Sequence, residues 1–348
     1  MGANPFFGVF LHATGGLAAG SFYLPFKGVR SWAWESAWLV GGVFSWIVAP
    51  WIVAALTTPH LMAVLTQAPA SSLVWSYVFG VLWGIGGLTF GLSMRYLGMS
   101  LGYALALGFC TVLGTLIPPA FTGDLVAMFA AASGQTVLLG VLVSVAGIAV
   151  CGRAGLLKER ELSDEAKTEA IAEFNFVKGV WVAVLAGVMS ACMAFAIAAG
   201  KPIAELAVAH GAAALWQNTP VFVVILAGGF TTNFVWCVYL LAKKGTAADY
   251  LASDRAPLLR NYFLSAVAGT IWYLQFMFYG MGTTQMGKYD FSSWSLHMAF
   301  IIVFSNLWGL MLHEWKGSSR KTLHWIIAGI ALLVASTIVI GYGNKLAE

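Results

Sequence analysis

The sequence predicts an all-α integral membrane protein, with ten transmembrane helices arranged as two inverted five-helix repeats. Three observations predict this fold: ten apolar spans, positive charge confined to alternate connections, and an internal repeat. Hydrophobic residues make up 60% of the chain and charged residues only 9%, a composition that excludes a soluble globular domain.

Ten apolar spans follow one another, each long enough for a hydrocarbon core about 30 Å thick. The backbone of such a span satisfies its own hydrogen bonds only as a helix, so each span predicts a transmembrane helix. Lys27 is the first basic residue, so the first span lacks the basic region of a signal peptide and is expected to be retained. The predicted spans are 6–26, 36–56, 73–94, 99–119, 136–152, 177–200, 219–242, 261–282, 293–313 and 324–343.

Positive charge lies almost entirely in every second connection. Of the 18 lysines and arginines, 15 follow spans one, three, five, seven or nine, and only Lys201, Lys288 and Lys345 lie elsewhere. Because basic loops stay in the cytoplasm, these connections are predicted to be cytoplasmic. The even number of spans then places both termini in the periplasm, in a multi-pass protein of the bacterial inner membrane. Short basic loops at a membrane face are a topology signal, so the lipid bilayer is an expected partner and nucleic acid is not.

An internal repeat relates the third and eighth spans. Trp83 is followed by glycines eight and fifteen residues later, and Trp272 is followed by glycines at the same two distances. A duplicated unit of five spans reverses its orientation, and inverted repeats are typical of secondary transporters with a substrate site near the membrane midplane. The sequence therefore predicts a first repeat at 1–152, a cytoplasmic linker at 153–176 and a second repeat at 177–348.

Motifs of soluble enzymes are missing from the sequence, which has no P-loop, no HExxH and no G-x-S-x-G at a strand–helix turn. The four cysteines lie in or beside apolar spans without metal-ligand spacing, so we expect free thiols, no metal and no cofactor. A transporter driven by an ion or substrate gradient is predicted, rather than an enzyme.

Three ionisable groups within or beside the spans are the predicted proton carriers, because such groups cost about 2.5–3.5 kcal/mol each in a bilayer. His12 lies in the first span and either carries a proton or is a neutral histidine bonded to a carbonyl. Asp290 and His297 are seven residues apart, so a continuous helix would place them on one face as a proton relay. The alternative is an interfacial pair at the periplasmic surface. Asp290 ranks first because it faces the side from which protons enter.

Gln275 and Trp272 suit a sugar, because an amide both donates and accepts hydrogen bonds and an indole face stacks on C–H groups. Ordinary packing is the alternative for the tryptophan. Glu35 and Arg95 lie at predicted cytoplasmic span ends and either pair as a gate or act as interfacial anchors. The predicted substrate-binding residues are Gln275, Trp272, Trp83, Tyr23, Tyr279 and Asn306.

Nine short stretches form a set that carries a resemblance. They are FYLPFK at 22–27, WE at 34–35, MRYLGMS at 94–100, RAG at 153–155, LKER at 157–160, WYLQF at 272–276, YD at 289–290, SWSLHM at 293–298 and EW at 314–315. Together they resemble the bacterial L-rhamnose–proton symporter family, of the drug/metabolite transporter superfamily. The resemblance implies a ten-span importer that moves L-rhamnose or a related monosaccharide inward with a proton.

One position departs from that family. The enterobacterial rhamnose carriers have asparagines just after the tryptophan of span three, where this chain has Gly87 and Thr89. The loss of two amides beside the expected cavity could change the sugar that is recognised. Two rival functions also stay open on the sequence: a metabolite or drug exporter on the same scaffold, and a non-transporting membrane sugar sensor.

Overall fold

The computed structural model describes residues 3–97, 99–161, 175–251 and 256–348, without the side chains at 94, 95, 99 to 101 and 103. All regular structure in these ranges is helical. The long helices are α1 Pro5–Ser21, α2 Trp34–Thr57, α3 Ala70–Leu97, α4 Met99–Thr122, α5 Ala132–Glu161, α6 Phe176–Ala199, α7 Thr219–Lys244, α8 Leu258–Thr283, α9 Ser293–Met311 and α10 Arg320–Lys345. Short α-helices lie between them at Tyr23–Phe26, Leu61–Gln67, Asp124–Ala130 and Lys201–Ala209.

The predicted linker at 153–176 is only partly described. Its first residues continue α5 as a helix to Glu161, and residues 162–174 lie outside the described part of the chain. Gly98, one of the repeated glycines, also lies outside it.

Nine of the described helical segments are long and apolar enough to cross a membrane, which makes the chain a multi-pass membrane protein. Helix α8 stands in the position of the predicted eighth span but is not among the nine. Its Trp272, Tyr273 and Gln275 lower the mean hydropathy of an otherwise apolar helix. Large apolar side chains on the outer surface, such as Phe121 and Leu259, are 88% and 86% exposed, as expected for a surface that lipid covers.

Helix α2 contains a wider π-helical turn at Val43–Val48. Pro50 has no N–H, so it cannot donate to the carbonyl of Trp46 four residues earlier. Ala49 donates instead to the carbonyl of Phe44, five residues back. Such turns are frequent at functional sites, and this one determines where Trp46 lies.

The helices of the first half pack mainly on those of the second half. Helix α1 packs on α8 and α9, α6 packs on α3 and α4, and α5 packs on α10. Helix α2 packs on α8, and α7 packs on α3. In the last two helix pairs the backbones approach closely at a glycine. Where α8 crosses α2, a Cβ on Gly269 would overlap the carbonyl oxygen of Gly41. Where α3 crosses α7, a Cβ on Gly80 would overlap the carbonyl oxygen of Ile225.

Candidate functional site

A cavity of about 950 Å³ opens between the ends of α4, α6 and α8. The connections that follow these three helices are poor in basic residues, so the charge pattern predicts that its mouth faces the periplasm. Its walls include Phe79 of α3, Phe195 of α6 and Tyr279 of α8. The volume lies within the range of small-molecule sites, about 300–1,000 Å³.

The mouth of this cavity carries an ion pair. Lys201 and Asp290 both line it, and the Lys201 ammonium lies 3.0 Å from the Asp290 carboxylate. Asp290 belongs to a 3-10 segment, Gly287–Ser292, and the α-helix begins only at Ser293. The expectation of one continuous α-helix from Asp290 to His297 is therefore wrong, because the tighter segment changes the register between them.

Two buried histidines face each other inside the molecule. The side chains of His12 on α1 and His297 on α9 are completely buried, and their ring centroids are 6.5 Å apart. No described residue forms a hydrogen bond with any of their ring nitrogens. Buried polar atoms in proteins are nearly always hydrogen-bonded, so two unpartnered imidazoles are unusual.

Tyr279 connects the histidine pair to the cavity. Its ring centroid lies 5.3 Å from that of His12 and 5.2 Å from that of His297, and the same residue lines the cavity. Glycine leaves room for the imidazoles: a Cβ on Gly282 would come within 2.7 Å of the His12 ring. A ligand in the cavity can therefore contact the ring that separates it from the two histidines.

Aromatic rings lie on the side of Tyr279 that is away from the mouth. Trp272 and Trp83 contact each other with ring centroids 5.6 Å apart, and Phe276 lies 5.0 Å from Trp272. Among the predicted sugar-binding residues, Tyr279 lines the cavity, while these two tryptophans belong to the layer beneath it.

The other predicted substrate-binding residues are further from the cavity wall. Gln275 is 5% exposed, and its backbone carbonyl lies against Gly15 where α8 crosses α1. The Tyr23 ring stacks on the Trp38 ring of α2. The Asn306 side chain donates to the carbonyl of Ile302 in its own helix. Their roles in sugar binding stay predictions.

The opposite end of the molecule is closed by polar contacts between its two halves. The Glu35 carboxylate is completely buried, accepts from Thr246 at 3.0 Å and lies 3.0 Å from the Lys244 ammonium. The predicted partner Arg95 has its side chain outside the described residues, so the Glu35–Arg95 gate stays a prediction. Lys244, which the sequence reasoning did not select, is the partner that the structure describes.

Further bonds tie the connection between α1 and α2, with the start of α2, to the connection between α7 and α8, with the start of α8. Asp249 accepts from the backbone N–H of Ala33 at 2.8 Å and from the Ser36 hydroxyl at 2.7 Å. Burial raises the pKa of the Tyr250 phenol to about 12, so a neutral hydroxyl donates to the carbonyl of Ser36. Asn261 forms two hydrogen bonds with the backbone of Arg30.

Comparison with known proteins places the chain in a family. Residues 1–345 match the family model of the L-rhamnose-proton symport protein. The chain belongs to this family. The L-rhamnose-proton symporter of Cronobacter sakazakii is 41% identical over 339 residues, which cover 97% of this chain and 97% of the relative. The L-rhamnose-proton symporter of Salmonella gallinarum is 40% identical over 340 residues, with the same coverage of both chains.

Membership in the L-rhamnose-proton symport protein family confirms the resemblance seen in the sequence and makes the chain a transporter rather than an enzyme. The departure at Gly87 and Thr89 is visible in the structure. The Thr89 hydroxyl donates to the carbonyls of Ile85 and Gly86 in its own helix, and apart from the adjoining turns of that helix no described atom lies within 4 Å of a Cβ built on Gly87. Whether these residues change the recognised sugar stays a prediction.

Sequence reasoning missed polar residues of the cavity that lie at helix ends. Asn218 donates from Nδ2 to the carbonyl of Gly280 at 2.9 Å and to the Thr283 hydroxyl at 3.0 Å, and both Asn218 and Thr283 line the cavity. Its carbonyl oxygen is the group that can still accept from a sugar hydroxyl. An asparagine before the Thr-Pro start of α7 reads in the sequence as a helix boundary, with no sign of a cavity.

Proposed function

We propose that this chain imports L-rhamnose together with a proton by alternating access. The observation that carries the proposal is the cavity of about 950 Å³, open at one end, in a chain whose residues 1–345 match the L-rhamnose-proton symport protein family. Its relatives are named L-rhamnose-proton symporters, which favours neither an exporter nor a sensor.

The closed inner end supports an outward-facing state of the cycle for this conformation. The Glu35–Lys244 contact and the Asp249 bonds join the two halves at the predicted cytoplasmic side, opposite the cavity mouth. Release of the sugar inward would require these bonds to break while the cavity mouth closes. Alternating access of this kind is what inverted repeats provide.

The ten-span topology with inverted repeats and periplasmic termini is part of the proposal, and the packing supports it. Exchanging α1–α5 for α6–α10 converts the α1 contacts with α8 and α9 into the α6 contacts with α3 and α4. The same exchange relates the α2–α8 crossing to the α7–α3 crossing, and Gly269 to Gly80.

Individual residue contacts in one half also have counterparts in the other half. A Cβ on Gly16 of α1 would overlap Phe300 of α9, and a Cβ on Gly187 of α6 would meet Phe109 of α4 in the same way. These two glycine–phenylalanine contacts align α1 with α6 and α9 with α4, residue by residue.

In this alignment the histidine pair has an apolar counterpart. His12 lies four residues before Gly16 and His297 three before Phe300, so their equivalents are Ala183 and Ala106. Both alanines are buried in one cluster against Phe90, the equivalent of Tyr279 when Trp83 is aligned with Trp272. The fold thus forms this crossing without histidine, which favours a functional role for the pair.

The proton site that we propose is therefore the pair His12 and His297. Asp290 already has Lys201 as a partner at the cavity mouth, whereas no described group neutralises or bonds the imidazoles. Two imidazolium cations with centroids 6.5 Å apart would repel strongly in a medium of low dielectric constant, so the pair can take up at most one proton beyond its neutral form. Tyr279 places the sugar beside that proton, and coupling requires the protonated carrier to bind the sugar better.

Transport by the purified protein tests the proposed function directly. Proteoliposomes with an imposed inward proton gradient should accumulate labelled L-rhamnose, and a protonophore should abolish the accumulation. A potential of 100 mV supplies about 2.3 kcal/mol per proton, enough for roughly fifty-fold accumulation. Equal uptake with and without the gradient, or accumulation of other monosaccharides but not of rhamnose, would contradict the proposal.

Tyr279→Phe is expected to weaken sugar binding from the outer side. The substitution retains the ring between cavity and histidines but removes a hydroxyl that can bond a sugar, which costs about 1 kcal/mol. The KM of L-rhamnose uptake should rise roughly fivefold. The matched control is Tyr342→Phe on α10, where the side chain is 53% exposed on the outer surface. An unchanged KM in the Tyr279 variant would remove this hydroxyl from the sugar site.

A further inference from the structure

A second, much smaller space lies between the segment 22–26 that follows α1, helix α2 and helix α8, on the inner side of the aromatic layer. Its volume is about 10 Å³, room for roughly one water and far too little for a monosaccharide. Five aromatic side chains line it together with small residues of α2 and α8; they are Phe22, Phe26, Trp38, Trp46 and Trp272.

Ring contacts lead from the buried histidines through this space to the inner surface. Phe276 contacts His297, and Trp272 contacts both Phe276 and Trp46, with centroids 5.0 and 5.3 Å apart. Beyond Trp46 the rings continue to Trp38 at 6.2 Å. Trp38 in turn stacks on Trp34, which is 48% exposed. An aromatic path therefore joins the floor of the outer cavity to the predicted cytoplasmic end.

Trp46 has an unused hydrogen-bond donor on this path. Its side chain is 4% exposed, and its indole N–H is buried without a partner among the described residues. By contrast, the indoles of Trp38, Trp294 and Trp308 donate to Asn233, to the carbonyl of Cys110 and to Ser21. A buried tryptophan N–H normally finds an acceptor, so the unused one indicates a partner that is present only in another state.

Two features of α2, a π-helical turn and a glycine, hold Trp46 in this place. The π-helical turn of α2 carries it, and Gly42 gives its ring room, because a Cβ there would lie 2.7 Å from the indole. Its ring meets Phe230 of α7 and Trp272 of α8, so Trp46 lies where the two halves of the chain meet. In inverted-repeat transporters this interface is where substrates bind.

We propose that this space is the collapsed form of an inner sugar subsite, in which the indole N–H of Trp46 donates to a hydroxyl of the monosaccharide. The inference rests on the proposed function, since it supplies the inward route for the sugar that enters through the outer cavity. Aromatic faces on both sides suit the C–H faces of a sugar, and a sugar hydroxyl supplies the acceptor that the indole lacks. The subsite expands when the contacts between the halves at the inner end break.

Trp46→Phe tests the donor, because it retains an aromatic ring and removes only the indole N–H and part of the ring. In inside-out membrane vesicles the KM for L-rhamnose should rise about fivefold, the effect of one lost hydrogen bond. In right-side-out vesicles the KM should stay within about twofold of the parent value, because Trp46 does not line the outer cavity. Trp308→Phe is the control, since it removes an indole N–H that is bonded to Ser21 outside this space. Equal KM values for parent and Trp46 variant in inside-out vesicles would overturn the subsite.

Ser45→Cys provides a second test of the inner subsite, one that leaves Trp46 unchanged. Ser45 lines the same space and is 3% exposed, and cysteine is close to it in size. A thiol reagent applied from the cytoplasmic side should modify position 45, identified by mass spectrometry, and L-rhamnose should slow the reaction. Modification that L-rhamnose does not slow, or none in a variant that still transports, would overturn the subsite. Lack of rhamnose transport by the parent in the same vesicles would instead refute the proposed function, and the subsite with it.

Discussion

Replacing His297 by glutamine is expected to abolish gradient-driven accumulation of L-rhamnose while exchange of the sugar across the membrane continues. Glutamine can still form hydrogen bonds in the site, but it cannot carry a proton, and no described residue bonds the His297 ring in the parent. Accumulation should fall from roughly fifty-fold at 100 mV to no accumulation, because each cycle would then move the sugar without a proton. His12→Gln should have the same effect, since the two rings form one site.

Two transport measurements on the same proteoliposomes separate coupling from folding. Counterflow of labelled against unlabelled L-rhamnose needs no proton gradient and should persist in the His297 variant, whereas gradient-driven uptake should not. His324→Gln, an exposed histidine near the start of α10, is the control and should behave like the parent. If the His297 variant concentrates the sugar like the parent, the proton travels elsewhere and Asp290→Asn is the variant to measure next.

Lys244→Met is expected to shift the protein toward the inward-facing state. The variant leaves the buried Glu35 carboxylate without the Lys244 ammonium in the closed inner end, whereas water can reach the carboxylate when that end opens. Loss of one partner of a buried ion pair costs about 3–5 kcal/mol. The Lys244 ammonium is half exposed, so we expect about 2 kcal/mol, a roughly 30-fold shift of the equilibrium. Hydrogen exchange measured by mass spectrometry should speed up in peptides that cover 27–36 and 244–251.

The double variant Glu35→Gln, Lys244→Met tests whether the unpaired Glu35 charge causes this shift. The amide has no charge to leave unpaired and can still accept from Thr246, so the double variant should return toward the exchange rates of the parent. Lys243→Met removes a neighbouring charge that does not contact Glu35 in the structure and should leave the rates unchanged. Slow exchange in the Lys244 variant, as in the parent, would show that other contacts hold the inner end closed.

The sequence named several residues that the structure brings together, but it did not predict how they are arranged. His12 and His297 are candidates because ionisable groups are rare inside apolar spans, and Tyr279 is a candidate for sugar binding; the structure brings these three together. Asp290 was expected to share a helix face with His297, but the 3-10 segment before α9 pairs it with Lys201 instead. A turn of different pitch leaves no sign in hydropathy, so the register between two residues was not predictable.

The sequence by itself determined the membrane class, the predicted sidedness of the connections and the family, because hydropathy, loop charge and short motifs are properties of local stretches. Only the tertiary structure decided which residues meet. Glu35 and Lys244 are 209 positions apart, the histidine pair joins the first helix to the ninth, and the unpaired donor of Trp46 lies on a π turn. Such contacts depend on how helices cross at glycines and where a helix changes pitch, and these are results of packing that no local pattern records.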